Sequence, residues 1–585
     1  MRLFHIQIVN GEKFKQLVDA NRFFTVILPK ERGVLLDRYG VQLVYNQPLY
    51  FKLKNPDRLY GEKVLIDRTE ALQLLAVGSE YVAMENTRWY PLAGVAAHIL
   101  GYVGPVTAED IQKNPTLRAS DIIGKFGLER KYDDLLSGTT TKKVYEINAL
   151  GKKIRLVETQ QGKPGTSLTT TLDPYLMTQA ALALGERTGV VVISDAQTGA
   201  LLALVSSPSF DPNILSDKQA DPIKEKERKK TIQAFFDNPQ QLFFNRAIAG
   251  AYPPGSVFKL VIASAGLETG SFDEKTEVVD EGVLKVGDYS YANWYYSQYG
   301  RVEGAISLQR AIARSNDIYF YKAAEWIGPE KIAEFARLFG YGVRSGIELS
   351  GEAAGFVPTP AWKEEKVGEK WFLGNTYHFG IGQGDLLVTP LQVNQMTQAI
   401  ANHGELCQPS VLMMDTKQCK GLGFSEEHLE TIVRGMLDAC SVGGTAFPFF
   451  EWNTKNRVPE LAPYKQLAAG AVGCKTGTAE FGATTALNKK KTHAWFTAIV
   501  GTQHILENGV VASASSGLLR DYTDHAAWMK QVRDSSFPDT IAVTVLLESD
   551  EAVPYKEGSR DAGPVVKKII DWMAGVGEVK KKTEE

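Results

Sequence analysis

The sequence predicts two folded parts of α+β type. A strand-rich domain covers residues 1–165, a larger domain over 166–575 opens with a helix and a β-hairpin, and residues 576–585 form a frayed tail. Three observations predict this division. The turn formers Gln161-Gly162-Lys163-Pro164-Gly165-Thr166 interrupt the chain, as clusters of Gly and Pro do between elements. Beyond them a helical pattern covers 175–184, and two β-prone runs, 189–195 and 200–206, flank the turn Ala196-Gln197-Thr198-Gly199. The composition, 44% hydrophobic and 23% charged over 585 residues, is that of an ordinary folded chain with apolar mass for more than one core.

Within the first part, short strand-like runs stand at 34–36 and 64–66 and helical patches at 67–77 and 126–136, with no nucleophile constellation. The Thr-rich stretch 168–172 is β-prone. In 214–244, Lys224-Glu225-Lys226-Glu227-Arg228-Lys229-Lys230 reads as a solvated helix or loop rather than a binding patch. Charges nearly cancel, 65 basic against 68 acidic for a net −3, and no basic stripe interleaves with aromatics. Nucleic acid is therefore not an expected partner. No apolar run reaches the roughly 18–20 residues of a membrane helix, and Met1-Arg2-Leu3-Phe4-His5 lacks the apolar core of a signal peptide. The four cysteines, Cys407, Cys419, Cys440 and Cys474, form no C-x-x-C pair and have no histidine at zinc-finger spacing, so no structural zinc is expected. Cys407 and Cys419 are near enough to pair in an oxidising compartment, and free buried thiols fit equally.

The chemistry begins at Pro253-Pro254-Gly255-Ser256-Val257-Phe258-Lys259, where turn formers lead into an apolar helical run and Ser256 and Lys259 share a helix face. A helix N-terminus favours negative charge on the Ser256 oxygen, and a neutral Lys259 amine beside it makes the alcohol nucleophilic. Alone, this spacing also suits a capping serine and an exposed lysine. Two further segments add weight. Arg314-Ser315-Asn316-Asp317 joins a polar triplet to an aromatic helix, and Gly473-Cys474-Lys475-Thr476-Gly477-Thr478 follows a run of small residues. The latter reads as an edge strand: its glycine admits another backbone, a substrate peptide, while Lys475, Thr476 and Thr478 offer a cation and hydroxyls to a carboxylate. Separately these triplets also read as a helix cap and a turn.

In the order S-x-x-K, S-N-D, K-T-G, the three motifs resemble those of the penicillin-binding protein and serine β-lactamase superfamily. The likeness extends to both sides. Arg32-Gly33-Val34-Leu35-Leu36-Asp37-Arg38-Tyr39-Gly40 and Gly124-Lys125-Phe126-Gly127-Leu128-Glu129-Arg130-Lys131-Tyr132 resemble pedestal signatures of the class B, monofunctional members. Gly382-Gln383-Gly384, Thr389-Pro390-Leu391-Gln392, Gly443-Gly444-Thr445-Ala446 and Trp495-Phe496 fall where that family keeps similar short motifs. Asp317 in the third place of its triplet and Arg88-Trp89-Tyr90-Pro91 are similar to elongation-type rather than division-type members. Some of those carry His and Cys near the second motif that ligate zinc; this chain has Tyr299 and Asn316 there, so no metal and no other cofactor is expected.

The resemblance implies a penicillin-binding transpeptidase domain, an antiparallel sheet flanked by helices, preceded by an elongated, strand-rich, dimerisation-like pedestal. It implies a D,D-transpeptidase in which Ser256 is acylated by stem pentapeptides or β-lactams, Lys259 is the base, Ser315 relays the proton and Asp317 orients the network. Lys475, Thr476, Gly477 and Thr478 would hold the substrate carboxylate, with the N–H groups of Ser256 and Thr478 as oxyanion hole. It further implies a RodA-like glycan polymerase and elongation-complex proteins as partners. Residues 1–22 resemble the first extracytoplasmic segment of members that carry one membrane helix just before it, so a single-pass, periplasm-facing protein is expected. The rival readings are a division-type member, a carboxypeptidase or β-lactamase-like hydrolase, and a β-lactam sensor or scaffold. No Glu-x-x-Leu-Asn loop of the class A lactamases is present.

Overall fold

The computed structural model describes residue 12 and residues 22–576, except 29, 55–62, 80, 149–151, 218, 220, 457, 485–489, 508–520, 534 and 536. The segment 1–22, apart from residues 12 and 22, the tail from 577 and the middle of the insert at 502–538 thus lie outside the described residues. Among the described residues no helix is long and apolar enough to cross a membrane.

Two compact units form. The first runs to Thr169 and takes in Phe210–Gln241; the second joins Thr170–Ser209 to the chain from Leu242 onward. The sequence places 210–241 in the second domain, yet tertiary contacts return it to the first. Tyr90 N donates to Asn213 Oδ1 at 2.8 Å and Asn213 Nδ2 donates back to Tyr90 O at 3.0 Å, while the Phe210 ring packs edge-on against His98, Tyr102 and Phe126. Local periodicity carries no sign of such a return. The charged run of 224–230 lies on the helix Pro222–Phe236, none of whose residues is buried.

The first unit has a five-stranded sheet built from Leu35–Leu36, Gln42–Leu53, Lys63–Ile66, Val82–Trp89 and Leu168–Thr169. Helices Arg68–Ala76, Gly127–Lys131 and Asp133–Ser137 occupy the two predicted helical patches. Its pedestal-like motifs meet at one buried carboxylate. Arg32 Nε donates to Glu129 Oε2 at 2.6 Å and Arg88 Nε to Glu129 Oε1 at 2.8 Å, and all three side chains are buried.

In the second unit, α1 (Pro174–Leu184) starts at Asp173, whose carboxylate caps Tyr175 N and Leu176 N, with Pro174 at the first helical position. The predicted hairpin is β1 (Gly189–Asp195) and β2 (Leu201–Ser207). Then follow α2 (Lys259–Glu268), α3 (Asp317–Ile327), α4 (Pro390–Ala401), α5 (Glu426–Ala439), β3 (Val472–Thr484), β4 (Lys490–Gly501), β5 (Thr540–Leu547) and α6 (Gly563–Met573). The sheet order is β2-β1-β5-β4-β3, antiparallel throughout, so β3 is an edge. Side chains alternate between faces along a strand, and the two faces carry different helices. Against the face of Ser194, Thr497 and Thr544 lies α4, all twelve residues buried, with Asn394 hydrogen-bonded to Ser194 Oγ and Thr397 to Thr497. The opposite face, carrying Phe496, receives the start of α6 at Gly563. This is the α+β layering that the resemblance implied.

All four cysteines are joined in two disulfides, Cys407–Cys419 and Cys440–Cys474. Nothing in the spacing pointed to the second, which ties the end of α5 to the edge strand β3.

Candidate active site

Gly255 to Phe258 form a single 3-10 turn and α2 proper starts at Lys259, so Ser256 stands on a turn ahead of the helix rather than at its first residue. Gly255 makes the turn possible. Its φ is +55°, and a Cβ there would lie 2.8 Å from Thr478 O, so the nucleophile turn presses directly on the edge strand. Gly477 serves the same contact: a Cβ would meet Trp495 Cβ at 3.0 Å, Val257 Cγ1 at 3.1 Å and Pro254 O at 3.2 Å. The backbone admitted by this glycine is the chain's own turn, where the sequence pointed to a substrate peptide.

Lys259 is fully buried, which rules out the exposed-lysine reading. Its Nζ donates to Asp317 Oδ1 at 2.6 Å, Ser315 O at 2.8 Å and Ser315 Oγ at 3.3 Å. Ser315 closes the helix Leu308–Arg314 in the left-handed region, φ 52°, a costly conformation for a residue with a Cβ. Asn316 caps α3 by accepting from Tyr319 N. The cap reading of this triplet is thus correct for Asn316, while its two neighbours both accept from the Lys259 amine.

On β3, Lys475 is also fully buried and donates to Thr476 O at 3.0 Å. Thr476 Oγ1 donates to Thr445 Oγ1 at 2.9 Å, while Thr478 and Glu480 are exposed along the edge. Two fully buried lysines are poor homes for two positive charges. Burial pushes Lys259 down, opposed by Asp317; burial and the like charge of Lys259 push Lys475 well below the ordinary lysine range. Such burial favours the neutral form of an amine one turn after Ser256, and a neutral amine is the requirement for general-base activation of an alcohol.

Sequence reasoning missed several participants. Thr445 and Gln383 stood in motifs without assigned roles. With its amide turned so that donors face acceptors, Gln383 donates to Glu480 O at 3.2 Å and accepts from Glu480 N at 3.1 Å, closing the edge strand beyond Thr478. Asn293 and Asp280 lie in no motif at all; only the hydrogen bonds that join them to each other and to Asp317 N reveal them.

A protein-family model described as the penicillin binding protein transpeptidase domain matches residues 189–506. The chain belongs to this family. A second model, the penicillin-binding protein dimerisation domain, matches residues 70–170. The peptidoglycan D,D-transpeptidase MrdA of Escherichia coli strain K12 is 27% identical, over 89% of this chain and 90% of that protein. Among solved structures, the penicillin-binding protein PBP2 of Helicobacter pylori in complex with MreC superposes with TM-score 0.72 at 24% identity, covering 95% of this chain and 99% of that one. A chain of a peptidoglycan synthase complex that coordinates polymerization and crosslinking gives 0.73 at 23%, covering 98% and 95%. The chain therefore shares the fold of these solved structures.

Proposed function

We propose that the chain is a peptidoglycan D,D-transpeptidase of the elongation type, working through an acyl-enzyme on Ser256 and inhibited by covalent β-lactam binding. The observation that carries it is the buried Lys259 amine, held between Ser315 and Asp317 one turn after Ser256. Ser256 Oγ attacks the carbonyl between the two terminal D-alanines of a stem pentapeptide and gives its proton to neutral Lys259. Backbone N–H groups of Ser256 and Thr478 receive the oxyanion, a contribution of about 3–4 kcal/mol per donor. The C–N bond then breaks, and Ser315 relays the proton to the departing D-alanine amine. An amine of a neighbouring stem attacks the acyl group, forms the cross-link and releases Ser256. Lys475, Thr476, already paired with Thr445, and Thr478 hold the substrate carboxylate by hydrogen bonds, and Gly477 keeps strand and turn in contact.

The reading places the catalytic unit on the outer side of the cytoplasmic membrane with single-pass attachment, which suits two disulfides. A RodA-like polymerase and an MreC-like protein are the proposed partners, supported by the assemblies in which the similar chains occur. Intact-mass measurement with a penicillin tests the chemistry. One adduct stable for hours on the parent, none on Ser256→Ala and a far slower one on Lys259→Ala are expected. An adduct lost within minutes would indicate a hydrolase, and a folded parent that takes up no penicillin would overturn the proposal.

A further inference from the structure

We infer that Asp280 is a positioning residue for the acylation step: a buried carboxylate outside all three motifs that sets the second motif in place against Lys259. Asp280 ends the strand Val278–Asp280, paired antiparallel with Gly304–Ile306, and is 1% exposed. Four donors converge on it. Oδ1 accepts from Gly282 N at 2.8 Å; Oδ2 accepts from Asn293 Nδ2 at 2.7 Å, Asn316 Nδ2 at 2.7 Å and Glu303 N at 3.2 Å. Among the described residues it has no ion-pair partner, so hydrogen bonds alone hold the charge, and bonds to a charged acceptor are about twice as strong as neutral ones.

The two asparagines pass this constraint on. An amide that gives its nitrogen to Asp280 must turn its oxygen the other way. Asn293 Oδ1 accordingly accepts from Asp317 N at 3.2 Å, and Asn316 Oδ1 from Tyr319 N at 2.9 Å, the first turn of α3. Trp294 N, next to Asn293, donates to Asp317 Oδ2 at 2.9 Å, which leaves Oδ1 for Lys259. Every member is buried or nearly so and has its partners, the condition under which a polar network becomes rigid. A neutral isostere at 280 keeps one acceptor oxygen but must turn its amide nitrogen toward at least one of these donors and loses the charge that strengthens the rest, weakening the hold on Asn293 and Asn316 and with it on Asp317. The charged groups facing Lys259 are Asp317 and Lys475; those beside Asp280 are Glu303 and its ion-pair partners Arg310 and Arg314.

This inference rests on the acyl-enzyme reading, and the test separates the two. The rate of acylation by a fluorescent penicillin is followed against pH in the full chain for the parent, Asp280→Asn, and the reciprocal exchange Asp280→Asn with Asn293→Asp, which restores a carboxylate against an amide. Asp280→Asn should slow acylation roughly 10- to 100-fold and move the lysine limb of the profile to lower pH, because Lys259 loses the partner that resists its neutralisation. The exchange should recover most of both. An Asp280→Asn chain that fails to fold, beside an exchange that folds and acylates on the parent's limb, supports the inference equally. A folded Asp280→Asn with the parent's rate and limb overturns it, as does an exchange that stays slow or unfolded. A parent that is not acylated removes the underlying reading instead.

Discussion

Asp317 and burial act on Lys259 in opposite directions, and the balance is open to measurement. Burial favours the neutral amine, while the carboxylate at 2.6 Å favours the ammonium. Lys259 must be neutral to accept the Ser256 proton, so acylation should rise as pH climbs through the depressed lysine value and level off above it. Asp317→Asn leaves burial unopposed. The limb should then move to lower pH while the plateau rate falls by roughly 10- to 100-fold, part of the contribution of a positioned base. Penicillin acylation across about pH 5–10 reads both effects, and a limb that stayed put or rose would contradict this account. The serine, both lysines and Asp317 were legible as residue types because spacing of three along a helix and a recurrent order of motifs carry them. Asp280 was not, since a single carboxylate outside a motif looks like any other until its donors are known.

Among the elements, β3 is the one held from most sides. Gly477 lets the nucleophile turn touch it, Thr476 is tied to Thr445, Gln383 closes its outer edge, and Cys474 fastens it to the end of α5. The Cys440–Cys474 bond closes a span of 34 residues, and removing such a cross-link costs about 2–4 kcal/mol. The paired substitution Cys440→Ala with Cys474→Ala should lower unfolding stability in denaturant by that amount and slow acylation, because Lys475 follows directly on Cys474. Unchanged stability and rate would show that packing alone holds the strand. Helices and strands were readable where caps and alternation are local: Asp173 and Pro174 at α1, and the hairpin β1–β2 around its turn. The edge position of β3 was read from its glycine and hydroxyl residues and agrees with the sheet order, whereas which strand it pairs with is chosen by the whole sheet.

For the whole molecule, each unit keeps its own core. In the first, buried Glu129 pairs with both Arg32 and Arg88, and Asp133 pairs with Arg32 as well. Removing one member of a buried charge cluster leaves a buried charge unpaired, at about 3–5 kcal/mol. Glu129→Ala should therefore split the calorimetric melt, with the first unit unfolding early, while penicillin still acylates Ser256 at the parent's rate below that transition. A single unsplit melt, or loss of acylation in step with it, would show that the catalytic unit depends on the first.

By itself the sequence determined the kinds of element and, through the order of three short motifs, the family. These signals arise between residues a few positions apart, or from motif types that chemistry demands. Only the tertiary structure decided that 210–241 returns to the first unit, that Cys440 pairs with Cys474, that Gly477 receives the chain's own turn, and that both lysines are fully buried, which favours their neutral forms. Each of these depends on what packs against a residue from distant parts of the chain, and exclusion of water is a property of the assembled core rather than of any segment.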